Sequence, residues 1–92
     1  MKYAVPTIHR NGDTAQELLA QITNAGKAIR EAQKALQLAC PNARNYYTMI
    51  PPNYPQAVRE HEARLTKLHT IYAELVEIAN SIQDQERERK SQ

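Results

Sequence analysis

Side chains suited to binding a small ligand are concentrated in residues 40–55, CPNARNYYTMIPPNYP. Arg44 carries a planar guanidinium that matches the geometry of a phosphate or a carboxylate. The rings of Tyr46 and Tyr47 can stack on a base or cap an apolar surface, and Asn45 can donate and accept hydrogen bonds at a base edge. This combination predicts a site for a ligand that carries both a phosphate and a ring.

Further polar residues extend this candidate site. Tyr54 and Arg59 lie at the start of the second predicted helix, where free backbone N–H groups favour an anion. His9 and Asn11 belong to the N-terminal arm, which meets the loop of another copy if two hairpins pair antiparallel. The alternative interpretation is that the tyrosines close the end of a helical bundle while the asparagines cap turns. The candidate ligand-binding residues are Arg44, Asn45, Tyr46, Tyr47, Tyr54, Arg59, His9 and Asn11.

No residue spacing is typical of a catalytic or metal site. The chain has no nucleophile elbow, no Gly-rich phosphate loop and no HExxH pair. His9 and Asp13 lack a third ligand at metal-site spacing, and His61 lies on an apolar stripe, as a hydrogen-bonded core histidine does. The single Cys40 excludes an internal disulfide and indicates a reducing compartment. We therefore expect a protein that is not an enzyme and needs no cofactor.

Residues 13–40 have the apolar pattern of a helix packed on a partner helix. Thr14 and Glu17 have the spacing of a capping box at its start, and Pro41 ends it. Gly26 costs about 1 kcal/mol relative to Ala inside a helix, so close packing is expected beside it at Ala25. The predicted contact residues, at steps of four and three, are Leu18, Ile22, Ala25, Ile29, Ala32, Leu36 and Ala39.

Residues 54–84 predict a second, longer helix with Pro55 in its first turn. Ile71, Val76 and Ile78 lie outside its main apolar stripe, which argues for a second interface. Beyond it, residues 85–92 form a mixed-charge tail. The predicted contact residues are Val58, His61, Leu65, Leu68, Tyr72, Leu75, Ala79 and Ile82.

These elements predict a single all-α domain. It comprises an arm (1–12), a helix (13–40), a Pro/Tyr-rich loop (41–53), a helix (54–84) and a charged tail (85–92), folded as a long antiparallel two-helix hairpin. Because 92 residues bury only a modest core, we expect a four-helix bundle or a higher homo-oligomer. The net charge of +2 is too small to indicate nucleic-acid binding. No apolar run approaches the roughly 18 residues of a membrane span, which predicts a cytoplasmic protein without membrane contact.

Two short segments, 9–13 (HRNGD) and 41–47 (PNARNYY), resemble a group of small, largely uncharacterised phage-encoded helical proteins. Those proteins carry an H-x-N-G-[DST] opening, a first helix, a P-N-x-R-x-Y-Y loop and a second helix. The resemblance implies a phage or prophage setting, and hence the host cytoplasm, but no particular activity. Small phage-encoded helical oligomers include counter-defence proteins that sequester nucleotide immune signals and others that block a host complex by direct contact.

The sequence therefore favours a non-catalytic, phage-encoded counter-defence protein that captures a phosphate-bearing ligand such as a nucleotide immune signal. The alternative is a protein-interaction module or inhibitor that uses the Tyr-Arg-Asn loop to block a host defence complex. A third interpretation is a structural or assembly component of a virion. Nucleotide binding by the purified protein would favour the first, and co-purification of one host protein without such binding would favour the second.

Overall fold

The computed structural model describes residues 3–8, 12–46 and 53–91, with side chains up to residue 89. Within these ranges the chain is helical and contains no strand: α1 spans Ala15–Leu38, a single 3₁₀ turn spans Ala43–Asn45, and α2 spans Tyr54–Ser91. α1 and α2 pack against each other as an antiparallel hairpin. The molecule measures 66 × 23 × 20 Å. The prediction of an all-α helical hairpin is confirmed.

Local sequence signals explain where the helices begin. Thr14 caps α1, because its Oγ1 accepts a hydrogen bond from the Glu17 N–H at 3.1 Å and donates one to Glu17 Oε1 at 3.0 Å. This contact satisfies one of the backbone donors that a helix start leaves open. α2 begins at Tyr54, so that Pro55 stands in the first turn, where its missing N–H is not needed.

α2 continues to Ser91, through the segment predicted as a charged tail. Charges of opposite sign recur there at a spacing of three residues, and Arg87 pairs with Asp84 while Arg89 pairs with Glu86, each at 3.4 Å. Such exposed pairs contribute about 0.2–0.5 kcal/mol each to a helix. Gln85, at the start of this extension, also hydrogen-bonds the backbone of the N-terminal arm.

The stripe of α2 that faces α1 is the one predicted. Its members from Val58 to Ile82 are all buried or half-buried. On α1 the stripe differs from the prediction: Ile22, Ile29 and Leu36 are half-buried as expected, but Ala25 and Ala32 are exposed. The predicted Leu18 is also half-buried. The other buried and half-buried positions of α1 follow each other at steps of four and three: Ala15, Leu19, Ile22, Gly26, Ile29, Gln33 and Leu36.

Gly26 and Arg30 of α1 both contact Tyr72, the largest residue of the α2 stripe. A Cβ added to Gly26 would lie 3.5 Å from the Cε2 atom of Tyr72, an ordinary contact distance. The guanidinium carbon of Arg30 lies over the same ring, 4.0 Å from its centroid. The ring therefore packs beside the α1 backbone at Gly26, beneath a cation that its face attracts.

The N-terminal arm lies along α2. The Gln85 amide accepts a hydrogen bond from the Ile8 N–H and donates one to the Pro6 carbonyl, both at 3.0 Å. At the other end of the arm the Tyr3 hydroxyl donates a hydrogen bond to the carboxylate of Glu77. Alongside these contacts α2 has a second half-buried stripe, made of Glu74, Ile78, Ser81 and Gln85. The arm therefore supplies part of the second interface that was predicted for the apolar residues of α2 outside its main stripe.

The hydrophobic core of the single chain is small. Among the described residues only Ala15 and Ile82 are buried apolar side chains, 3% and 0% exposed, and both lie at the arm end of the hairpin. The radius of gyration is 19.5 Å, whereas a compact chain of this length has one of about 12 Å. The core is therefore spread thinly along an elongated molecule.

Candidate ligand site

A cleft of about 440 Å³ lies between the end of α1, the 3₁₀ turn and the start of α2. Its size falls within the range of small-molecule sites. We call it the loop-end cleft. Its lining residues are Leu36, Ala39, Pro41, Tyr46, Asn53, Gln56, Ala57, Glu60, His61 and Arg64.

His61 is the unusual member of this cleft. Its side chain is only 6% exposed, and its Nε2 atom has no hydrogen-bond partner among the described residues. Leaving a buried polar atom unsatisfied costs about 1–3 kcal/mol. The sequence places His61 correctly on the helix–helix contact stripe, but the hydrogen-bonded core histidine expected there is not what the described part of the structure contains. A ligand group at this position would remove the cost.

The cleft carries charges of both signs beside His61. Arg64 lies one turn further along α2, on the same face, and supplies an exposed guanidinium. Glu60 supplies a carboxylate, whose Oε2 accepts a hydrogen bond from Gln56 Nε2 at 3.3 Å. An anion in the cleft is therefore attracted by Arg64 and repelled by Glu60, which restricts it to the Arg64 side. The first turn of α2 adds the partial positive charge of a helix N-terminus.

One tyrosine ring lines the cleft, and a second ring packs against it. The centroids of Tyr46 and Tyr54 are 6.2 Å apart and the ring planes are inclined by 47°, an arrangement typical of favourable aromatic pairs. Both residues are half-buried. Tyr46 lines the cleft directly, while Tyr54 supports it from outside the lining. Whether these tyrosines bind a ligand or close the end of the hairpin, the two interpretations of the sequence, stays a prediction.

The other predicted site residues lie elsewhere. Arg44 and Asn45 are exposed in the 3₁₀ turn. Asn42 caps this turn, because its Oδ1 accepts a hydrogen bond from the Arg44 N–H at 3.1 Å. Arg59 is exposed on α2, and none of these three lines the cleft. Tyr47, His9 and Asn11 lie outside the described residues.

Sequence reasoning overlooked Gln56 and Arg64 and interpreted Glu60 as a solvated residue, although the first turns of α2 bring all three to the cleft. Gln56, Glu60 and Arg64 are spaced by four residues and share one helix face, next to His61. That spacing was visible in the sequence. What was missing was the knowledge that this face meets the end of α1 and Tyr46, which depends on how the two helices are paired.

Other kinds of site are not evident in the described ranges. No group of three or more His, Cys, Asp and Glu side chains there is placed to hold a metal ion. None of the helices described has the length and apolar character needed to cross a membrane. Cys40 is an exposed free thiol just after α1.

No protein-family model matches the chain, and neither a curated protein nor a solved structure is detectably similar to it. The resemblance to phage-encoded helical proteins accordingly stays a prediction. Function has to be argued from the loop-end cleft itself.

Proposed function

We propose that the protein is a non-catalytic binding protein that holds a small phosphate-bearing ligand, such as a nucleotide, in the loop-end cleft. One observation carries this proposal: His61 is buried in the cleft wall with Nε2 unpartnered among the described residues, beside the guanidinium of Arg64. An imidazole N–H and a guanidinium can both donate hydrogen bonds to phosphate oxygens.

Each lining group has a place in this arrangement. Arg64 binds the phosphate from the open side, and His61 donates from Nε2 to a phosphate oxygen. Tyr46, braced by Tyr54 at a centroid distance of 6.2 Å, provides a face for the ring of the ligand. Asn53 also lines the cleft, and its side-chain amide can hydrogen-bond the edge of a base. The phosphate contact is thus assigned to Arg64 in place of Arg44.

Isothermal titration calorimetry with ADP, adenosine and inorganic phosphate tests the proposal. Hydrogen bonds to charged groups contribute about 1.5–3 kcal/mol, so Arg64→Gln should weaken ADP binding about 10- to 100-fold. Arg59→Gln, an exposed arginine on the same helix outside the cleft, is the matched control and should bind as the parent does. Adenosine should bind more weakly than ADP.

The same titrations distinguish the cleft from the loop. If Arg44→Gln abolishes ADP binding while Arg64→Gln does not, the ligand site is the 3₁₀ turn that the sequence suggested. If the parent protein binds neither ADP nor phosphate at millimolar concentration, the protein is not a binder of phosphate-bearing ligands of this class.

In the phage setting implied by the resemblance, we propose that capture of such a ligand removes a nucleotide immune signal from the host cytoplasm. Propagation of the phage on a host with a nucleotide-signalled defence measures this effect. Arg64→Gln should reduce propagation to the level of a gene deletion, while Arg59→Gln should leave it unchanged. Equal propagation of all three strains would contradict a counter-defence role.

A second candidate function, a protein-interaction module, is favoured by Leu38. This residue ends α1 with 90% of its side chain exposed, shortly before the turn that carries Arg44. Arginine is among the residue types enriched at interface hot spots, and an exposed apolar side chain near Arg44 adds apolar contact area for a protein partner. Leu38→Ser should release a co-purifying host protein without changing ADP affinity if this function holds, and should change neither if the protein acts only on a small ligand.

A further inference from the structure

Three polar side chains of α2 form a row along the loop-end cleft. Gln56, Glu60 and Arg64 follow each other at intervals of four residues, which is about 6 Å along the helix axis. The phosphate contact proposed above uses only Arg64, at one end of the row. Gln56 and Glu60, at the other end, have no role in that contact.

The Glu60 carboxylate is bonded to Gln56 and not to Arg64. Its Oε2 accepts a hydrogen bond from Gln56 Nε2 at 3.3 Å. A carboxylate four residues before a cation is the favourable order for an ion pair on a helix, yet the two described residues Glu60 and Arg64 do not form one. The row therefore has an acidic end beside Gln56 and a basic end at Arg64.

We propose that the loop-end cleft selects guanine nucleotides, and that Glu60 is the residue that reads the base. This selectivity rests on the proposed function, since it concerns the base of the phosphate-bearing ligand assigned to the cleft. His61 and Arg64 bind the phosphate at the basic end. The base lies at the acidic end, against the ring of Tyr46.

The chemistry of the carboxylate decides which base fits. An ionised carboxylate only accepts hydrogen bonds, and its two oxygens can accept two bonds side by side. Guanine presents two adjacent donors on one edge, N1–H and the 2-amino group. Adenine and cytosine place a ring nitrogen acceptor beside their amino group, and uracil and thymine have a single donor between two carbonyl groups. Only guanine therefore matches both oxygens of Glu60.

Gln56 completes the match to the guanine edge. Its side-chain nitrogen has two N–H groups, of which one bonds Glu60. The other can donate to the O6 atom of guanine, which lies next to N1–H. Adenine has an amino group in place of O6, so this N–H would meet a second donor there. The Gln56–Glu60 pair thus favours guanine at three positions of the base.

Isothermal titration calorimetry of the full chain with GDP, ADP and inosine diphosphate measures the selectivity. GDP should bind about 5- to 150-fold more tightly than ADP, which is the discrimination that one bidentate contact to a base provides. Inosine diphosphate has the guanine edge without the 2-amino group, so its affinity should lie between those of GDP and ADP. Because all three carry the same diphosphate, the phosphate contacts cancel in the comparison.

Glu60→Gln tests the residue that reads the base. An amide offers one acceptor and one donor, which suit adenine better than guanine. The ratio of the ADP dissociation constant to the GDP dissociation constant should therefore fall to one or below. Loss of the negative charge strengthens binding of both nucleotides alike, and the ratio removes this effect. Glu62→Gln, at an exposed glutamate of α2 outside the cleft, is the matched control and should keep the parent ratio.

Arg64→Gln should weaken GDP and ADP binding by the same factor, which separates the phosphate contact from the base contact. Equal affinities of the parent protein for GDP and ADP would overturn guanine selection and leave the proposed phosphate site standing. A parent-like ratio in Glu60→Gln would overturn the role of Glu60. If the parent binds neither nucleotide at millimolar concentration, the proposed function and the guanine selection are both refuted. Far-ultraviolet circular dichroism checks that each variant stays helical.

Discussion

The contact between Gly26 and Tyr72 allows a pair of substitutions to test which face of α1 packs on α2. Gly26 is buried and its missing Cβ would lie 3.5 Å and 3.9 Å from two ring atoms of Tyr72, both ordinary contact distances. Ala25, one residue earlier, is exposed. The heptad interpretation of the sequence reverses these roles, with Ala25 against α2 and Gly26 beside it.

The structure predicts whether each substitution raises or lowers the free energy of unfolding. Gly26→Ala gains about 1 kcal/mol of helix propensity, and its methyl group fits, so the free energy of unfolding should rise by about 1 kcal/mol. Gly26→Leu places further carbons where the Tyr72 ring lies, and overpacking of this kind costs about 1–3 kcal/mol, more than the propensity returns. Ala25→Leu adds an exposed side chain and should change stability by less than about 0.5 kcal/mol.

Thermal and urea unfolding followed by circular dichroism measure these differences, at one protein concentration because assembly shifts apparent stability. A change of 1 kcal/mol corresponds to about 4–8 °C in Tm for a domain of this size. The rotated α1 stripe would be refuted if Ala25→Leu lowered Tm by many degrees while Gly26→Leu raised it. That result would restore the stripe predicted from the heptads.

Two further predictions concern the arm end. Ile82→Ala should lower the free energy of unfolding by about 2–5 kcal/mol, because the side chain of Ile82 is fully buried. Leu38→Ala, at a residue that is 90% exposed, should have little effect on urea unfolding. Equal losses of stability for the two variants would refute the assigned core. The hydrogen bond to Glu77 raises the pKa of Tyr3 from 10.0 to about 12, so the contribution of this contact should be intact below pH 10 and disappear as the pH rises through 12. Tyr3→Phe should remove the latest component of a tyrosinate absorbance titration, and an unchanged titration would contradict the docked arm.

The sequence by itself determined what depends on neighbouring residues. The spacing of Thr14 and Glu17 predicts the capped start of α1, Pro55 marks the first turn of α2, and the three- and four-residue steps identify the buried stripe of α2. These features follow from local backbone geometry and from the 3.6-residue turn. They need no knowledge of what the helices touch.

The candidate site was only partly predictable, because its residues come together through helix pairing. Tyr46 and Tyr54 were recognised from their residue type and adjoin the cleft as a pair. His61, however, was expected to be a satisfied core residue, and Arg64 was not considered. Their common position in the cleft appears only when the start of α2 is set against the end of α1 across the segment that connects them.

Only the tertiary structure decided the rotation of α1 and the position of the arm. Two stripes of α1 share Ile22, Ile29 and Leu36, and hydrophobic periodicity alone cannot choose between them. In the folded hairpin the stripe that contains Gly26 is the one that packs against Tyr72. The position of the arm likewise depends on tertiary contacts, since the Gln85 amide hydrogen-bonds two backbone groups of residues nearly eighty positions away. Contacts at that separation leave no pattern in the local sequence, because they depend on which surfaces the folded helices present to each other.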